Sequence, residues 1–481
     1  MTRFSKVAIL TICTALTPLT PAMADAETTA VMEELFEVMW ATAGVAEVGN
    51  KDDANRLTRW SDVVISDAAE GAPTINLPWI EVSKNLFGGY TVTMAPQIDI
   101  TGKLPEETGE FSGTIRHSGF EVDVKGTAMA RTFEWTFGSV DVDIKMGDIA
   151  DMTMTLRDGN AQTELAKGVM TGAFDYPAFD INYKINIEGQ NTDTQMSLSG
   201  MKGTYRYPVL KGNDLNSWQA IWSAGADFYV DYVADGMTAK MAAASPMGPV
   251  NVETSGGAMA GRMAARDGTM SSAGTLETLV YNVSAAGMPP MKVTIDKTES
   301  LMAFPLDNVD NAKPAQLKMA LNGLELDPAI WAMFDPQGLL PQDKANLEID
   351  LSGDVKWAQK IADFDPKTMA TGLPVQFENV KVTALNLNAL GATVTTTGAF
   401  DINSAKFPPT ASGTADVSIQ GANTLMDNLT KAGLLPAQNA MMAKGMMGVF
   451  FKQGGEGLDH FVSQILIAPD GSISANGFPL K

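Results

Sequence analysis

Ile181-Asn182-Tyr183-Lys184-Ile185-Asn186-Ile187-Glu188 puts an apolar residue at every odd position and a polar one at every even position. Side chains of an extended chain point alternately to opposite faces, so this stretch reads as a strand dry on one side and wet on the other. The period recurs in Phe120-Glu121-Val122-Asp123-Val124-Lys125, Met152-Thr153-Met154-Thr155-Leu156, Leu347-Glu348-Ile349-Asp350-Leu351 and Ala415-Asp416-Val417-Ser418-Ile419-Gln420. Gly126, Gly189, Gly353 and Gly421 follow these runs and read as turns between antiparallel neighbours. Fully buried parallel strands would read as continuous apolar runs instead. The pattern predicts a mainly β fold: an extended, mainly antiparallel curled sheet, groove-like or sandwich-like, with a few short helices.

Helical spacing is confined to a few segments. Val31, Leu35, Val38 and Met39 mark a helix over Glu27–Thr42, and Trp218, Ile221 and Trp222 mark one over Leu215–Ala226. Most of the short helices fall late in the chain, at Pro328–Phe334 and Asn423–Ala432. Asn423 is placed as an N-cap and Gly433 as a left-handed C-cap. Gly338-Leu339-Leu340-Pro341 and Gly433-Leu434-Leu435-Pro436 follow these two helices, so the order strand, short helix, Gly-Leu-Leu-Pro occurs twice. A second echo, Thr-Gly-Ala-Phe-Asp at Thr171–Asp175 and Thr397–Asp401, lies among strand-like segments with Gly at a bend, and reads as an architectural motif. The polar, turn-rich segment Asp307–Pro314 suggests a boundary. The expected organisation is a signal peptide over 1–24, an N-terminal β-block over 25–310, and a C-terminal block over 311–481.

The leader reading rests on Arg3 and Lys6, the apolar run Val7–Leu16, and Ala22-Met23-Ala24 before Asp25. The apolar run is too short for a permanent membrane span, and no later stretch has the length and apolarity of one. Cys13 lies inside that run after the large Ile12, which disfavours lipidation. The expectation is export into the periplasm. Cys13 is also the only cysteine, so disulfides are not expected. With 34 basic against 56 acidic residues, the net charge of −22 repels nucleic acid and anionic headgroups.

Candidate chemistry is sparse. His117, in Arg116-His117-Ser118-Gly119, reads as part of a hairpin turn, and His460 as part of a short helix; neither is linked by spacing to a nucleophile. No Gly-x-Ser-x-Gly elbow or phosphate-binding loop occurs, and ligands for a Cys/His zinc site are lacking. Asp141 and Asp143 share the wet side of a strand, but Lys145 stands where a third calcium oxygen would be needed. Of 29 methionines, Met288-Pro289-Pro290-Met291 invites a copper(I) reading. Most of the others, such as Met152 and Met154, simply occupy the apolar positions of strands. No catalytic residue, metal or cofactor is expected.

An outer-membrane barrel is the competing β architecture. Aromatics make up 7% of the chain, the girdles such barrels need are not apparent, and the chain ends Phe478-Pro479-Leu480-Lys481. The segment Met441–Phe451 reads as a helix apolar around more than half its circumference. It either plugs the end of the β-structure or offers Met441, Met442, Met446, Met447, Phe450 and Phe451 to a lipid-like ligand.

The C-terminal order of strand, helix, Gly-Leu-Leu-Pro and second helix, followed by Val462–Ile473 and Gly477-Phe478-Pro479-Leu480, resembles the bacterial family called domain of unknown function 2125. More loosely the chain is similar to AsmA-like envelope proteins, a resemblance that implies a β-rich groove. The likeness runs from about Leu317 onward, and the N-terminal transmembrane anchor common in AsmA-like proteins is missing. The sequence thus leads to a periplasmic, non-enzymatic β-protein whose apolar sheet face shelters a lipid or docks an envelope partner. A closed envelope scaffold is the alternative, with an unrecognised enzyme or a barrel third. The reason is area: many amphipathic strands create an apolar face that so few helices cannot cover.

Overall fold

The structure is a computed structural model that describes residues 16–17 and 26–480, apart from 41–43, 55, 67–73, 87, 104–109, 148, 188–189, 210–226, 245–247, 307–308, 359–374, 404–408 and 456. Outside the described residues lie the expected signal peptide (residues 16–17 excepted), Gly189 and the helix expected over 215–226. The fold is mainly β and antiparallel, as the alternation predicts. Its helices, among the described residues, are α1 (Ala26–Trp40), α2 (Pro328–Phe334), α3 (Ala422–Lys431) and α4 (Ala437–Phe450), three of them in the C-terminal part. The chain forms two compact units, Met1–Asn251 and Val252–Lys481. The strands on either side of the boundary expected near 310, Met291–Pro305 and Lys313–Leu326, pair antiparallel over most of their length.

The N-terminal unit has a sealed core. Helix α1 inserts Val31, Met32, Leu35 and Phe36 among the inward residues of the surrounding strands, including Val63, Leu77, Ile80, Val82, Val92, Val122, Val124 and Phe133. Alternation explains the selection: along Tyr90–Met94 burial switches with every residue. Glu34 of α1 is paired with the buried Arg131, and the Thr28 and Thr58 hydroxyls hydrogen-bond at 2.9 Å inside this core. The longer strands Ala130–Met146, Ala150–Ala166, Val169–Ile187 and Gln190–Pro208 follow as a meander. Val142, Met154, Ile181 and Met196 line up across it on one face. Asp141 and Asp143 take the other face as expected. There Asp143 pairs with Arg116 at 2.5 Å, and Asp141 accepts from Thr155 at 2.8 Å.

Glycine does something different from what its sequence position suggests. Gly421 does end its strand, but Gly126 and Gly353 lie within strands. The backbone opposite approaches so closely that a Cβ would stand 2.2 Å from the Ala130 carbonyl at the first and 2.3 Å from the Asn379 carbonyl at the second. The Thr-Gly-Ala-Phe-Asp echo is likewise mid-strand, not at a bend. In one copy Phe174 sits opposite Gly203; in the other Phe400 sits opposite Gly413. The Phe174 ring lies over Gly203 of the neighbouring strand, whereas the Phe400 ring lies against Gly398 of its own strand and Gly413 is crowded by the Ala399 and Phe400 backbone, so both copies of the motif serve packing within the sheet.

The C-terminal unit is an antiparallel meander. Its successive strands are Met259–Arg266, Thr269–Ala285, Met291–Pro305, Lys313–Leu326, Ala345–Trp357, Val375–Ala389, Ala392–Asn403, Thr410–Gln420 and His460–Ile467. Asp327 caps α2 by accepting from the Ala329 N–H at 2.8 Å, with Pro328 at the first helical position. At α3 the expected cap Asn423 is inside the helix. Gly421 occupies the cap, and the distant Asp459 carboxylate takes the N–H groups of Asn423 and Thr424 at 2.8 and 2.9 Å. Both Gly-Leu-Leu-Pro copies open on a left-handed glycine, Gly338 and Gly433. The first is fastened by the buried Asp335 carboxylate, which accepts from the Leu339 and Leu340 N–H groups. The second is fastened by the Leu429 carbonyl, which accepts from Leu434 and Leu435.

Candidate functional site: an uncovered apolar sheet face

Register builds the site. Across the C-terminal meander, Met302, Leu317, Leu351 and Val382 stand directly opposite one another in successive strands. Two residues along, Met319, Ile349 and Leu385 form a second row, which continues through Thr396 and Val417 to Ser463. Leu321, Leu347, Leu387, Val394 and Ile419 form a third. Direct cross-strand partners share a face, so these rows make one continuous apolar surface.

Little covers the middle of that surface. Met302 is 45% exposed, Leu317 39%, Met319 50%, Leu385 39% and Leu387 44%. Isolated exposed apolar residues are ordinary, whereas a contiguous exposed patch marks a binding surface. The residues between them point the other way and bind one another: Asn386 donates to Glu348 at 3.0 Å, and Lys318 lies 3.8 Å from Glu348. The polar face is therefore satisfied and the apolar face is left to solvent.

Helices close one end. Helix α3 packs against Ala392–Asn403. The Ser463 hydroxyl, on the apolar face, donates to the Phe450 carbonyl at 2.8 Å, which fixes the end of α4 over that face. Asn476 donates to the same carbonyl at 2.9 Å, and Lys444 pairs with Asp427 of α3 at 2.6 Å. Met447, Phe450 and Phe451 are half-buried, whereas Met441, Met442 and Met446 are exposed, together with Val449. Of α4 only Ala440 is fully buried, so this helix is apolar on its inner and outer sides alike.

The histidines have structural surroundings. His117 lies in the strand Glu110–Ser118, its Nε2 2.7 Å from the Ala95 carbonyl. Burial pushes its pKa down, against the opposing pull of that carbonyl. His460 is not helical: it opens the strand His460–Ile467, with Nε2 2.9 Å from the Ser418 hydroxyl. Sequence spacing alone did not reveal this Ser–His contact. Its other ring nitrogen lies against Gly455, where an added Cβ would stand 2.8 Å away, so the contact reads as a cross-strand hydrogen bond. Met288 lies in the turn between two paired strands, Thr269–Ala285 and Met291–Pro305, and Met291 opens the second of them. Among the described residues no group of three or more His, Cys, Asp or Glu side chains could hold a metal, and no helix is long and apolar enough to cross a membrane.

Leu385 and Leu387 were not marked out by the sequence reading, although Leu385-Asn386-Leu387-Asn388 carries the same alternation as the strands that were. Only the register shows that they continue the rows begun by Met319 and Leu321.

Fold and site together define a mainly β protein with an antiparallel C-terminal sheet that keeps one apolar face uncovered. The chain belongs to the bacterial family domain of unknown function 2125, described as an uncharacterised protein conserved in bacteria, whose family model matches residues 228–480. No curated protein matches the chain.

Proposed function

We propose that this protein is a non-enzymatic periplasmic binder that shelters a lipid or other hydrophobic ligand on the apolar face of its C-terminal sheet. One observation carries the reading: five large apolar side chains from three rows stay 39–50% exposed in register, on three strands that flank the half-buried row residues of Ala345–Trp357. Fully burying a side chain of this size is worth about 1.5–3 kcal/mol, so leaving the set in water is costly unless something covers it. The leader-like N-terminus supports export, and the loose resemblance to AsmA-like envelope proteins agrees with this proposal.

Solvent extraction of protein purified from its native envelope, followed by mass spectrometry, tests the reading. Stoichiometric lipid is the expected result. No lipid, together with no uptake of an apolar dye by the purified protein, would leave a closed scaffold as the better account. An envelope protein co-purifying in stoichiometric amount without lipid would assign the face to a partner instead.

A further inference from the structure

The three rows have a length and a spacing, and these narrow the ligand. Resting on the proposed function above, we infer that the ligand is a two-chain lipid, its acyl chains lying across the strands in the two furrows between the three rows.

Adjacent rows are two residues apart along each strand, which separates the ridges by about 6.7 Å. Three ridges leave two furrows, one on each side of the Met319–Ile349–Leu385 row. A bulge between Val382 and Leu385 inserts one extra residue and widens the first of them. The furrows run from the strand of Met302 to the strand of Leu385, four strands in succession, or about 14 Å at the usual strand spacing, although on the first of these strands only Met302 is apolar. One leaflet of a bilayer gives its acyl chains about 15 Å, half the hydrocarbon thickness. Each furrow therefore holds roughly one chain.

The two ends differ. At the far end α3 packs on the strand after Leu385, and α4 is tied down over Ser463. At the near end the second and third rows give way to Ser300 and Thr298, directly opposite Met319 and Leu321. Hydroxyls suit the ester region of a glycerolipid. None of the three rows carries Lys or Arg, so the headgroup is not chosen by charge on this face. A single-chain ligand would leave one furrow wet, which is why two chains under one headgroup fit best.

Native mass spectrometry of the full-length, delipidated protein tests this with dipalmitoyl phosphatidylcholine and with palmitate. The expected result is one phosphatidylcholine, or two palmitates, per chain. Leu387→Asp obstructs one furrow from an exposed position. It should cut palmitate from two to one and weaken phosphatidylcholine binding at least tenfold. A wild-type protein that takes only one palmitate, or a Leu387→Asp protein that keeps phosphatidylcholine, would overturn the two-chain assignment and leave the broader reading standing. Binding of neither probe to the wild type would sink both. Should Leu387→Asp fail to fold by circular dichroism, the wild-type stoichiometry decides alone.

Discussion

The Ser463 hydroxyl donates to the Phe450 carbonyl at 2.8 Å, and through this contact the last turn of α4 is held on the apolar side of the sheet. Asn476 supplies a second donor to the same oxygen. Ser463→Ala removes one of two bonds and should cost about 1 kcal/mol in urea unfolding. Asn476 also adopts a left-handed φ of 50°, which Ala tolerates poorly, so Asn476→Ala should cost more than Ser463→Ala. Equal costs would mean that the backbone at 476 relaxes freely.

Asp459 caps α3 from outside the helix and brings a pH dependence with it. Partial desolvation pushes its pKa up, but the Thr424 and Asn423 N–H groups and the Thr424 hydroxyl outweigh this and hold it below the usual carboxylate range. The folded value is the lower one. Its stabilising contribution is therefore complete above the unfolded pKa of about 4, and is lost as pH falls through the folded value. Asp459→Ala should cost about 1 kcal/mol at neutral pH, as for other caps, and show a smaller loss of stability on acidification than wild type. Parallel pH profiles would contradict this assignment.

The Phe174 ring covers Gly203 on the neighbouring strand, which makes that glycine irreplaceable for steric reasons. At Gly203 a Cβ would lie 2.4 Å from the Asp231 carbonyl and 2.5 Å from the Phe174 ring. Gly203→Ala should lower stability by more than 1 kcal/mol, in the range of an overpacked interior. Gly445, with open space around its Cβ, is the control: Gly445→Ala should leave stability the same or raise it by up to about 1 kcal/mol.

The two units should answer core substitutions in opposite ways. Leu77, fully buried beneath α1, should cost about 2–5 kcal/mol on truncation to Ala. Met319→Glu on the open face should change unfolding free energy by only about 0.5 kcal/mol, because its side chain already meets water. A large loss at Met319 would mean that the apolar rows are a structural core.

Much of this architecture was legible in the sequence. Period-two alternation gave the strands and their antiparallel pairing, because it is a local property of each segment. Helix α1 was legible from Val31, Leu35, Val38 and Met39, whose spacing matches a buried helical stripe. The rows were not, since they depend on which residue faces which across loops of differing length and across bulges such as Val382/Leu385. His460 was misread as helical because Gly457-Leu458-Asp459 does form turns, and only its pairing with Gln420 draws it into the sheet. The cap of α3 was misread for a related reason: Asp459 is 35 residues from Thr424, and no local signature announces such a partner.

The most direct test of the uncovered face uses the scarcity of cysteine in this chain. With Cys13→Ser as background, Met319→Cys gives a single thiol at the centre of the rows, ready for a polarity-sensitive fluorophore. An uncovered face should give rapid labelling of the folded protein and a blue shift of emission when lipid vesicles or detergent-solubilised lipid are added. A thiol that labels only after denaturation, or a label whose emission ignores lipid, would contradict it.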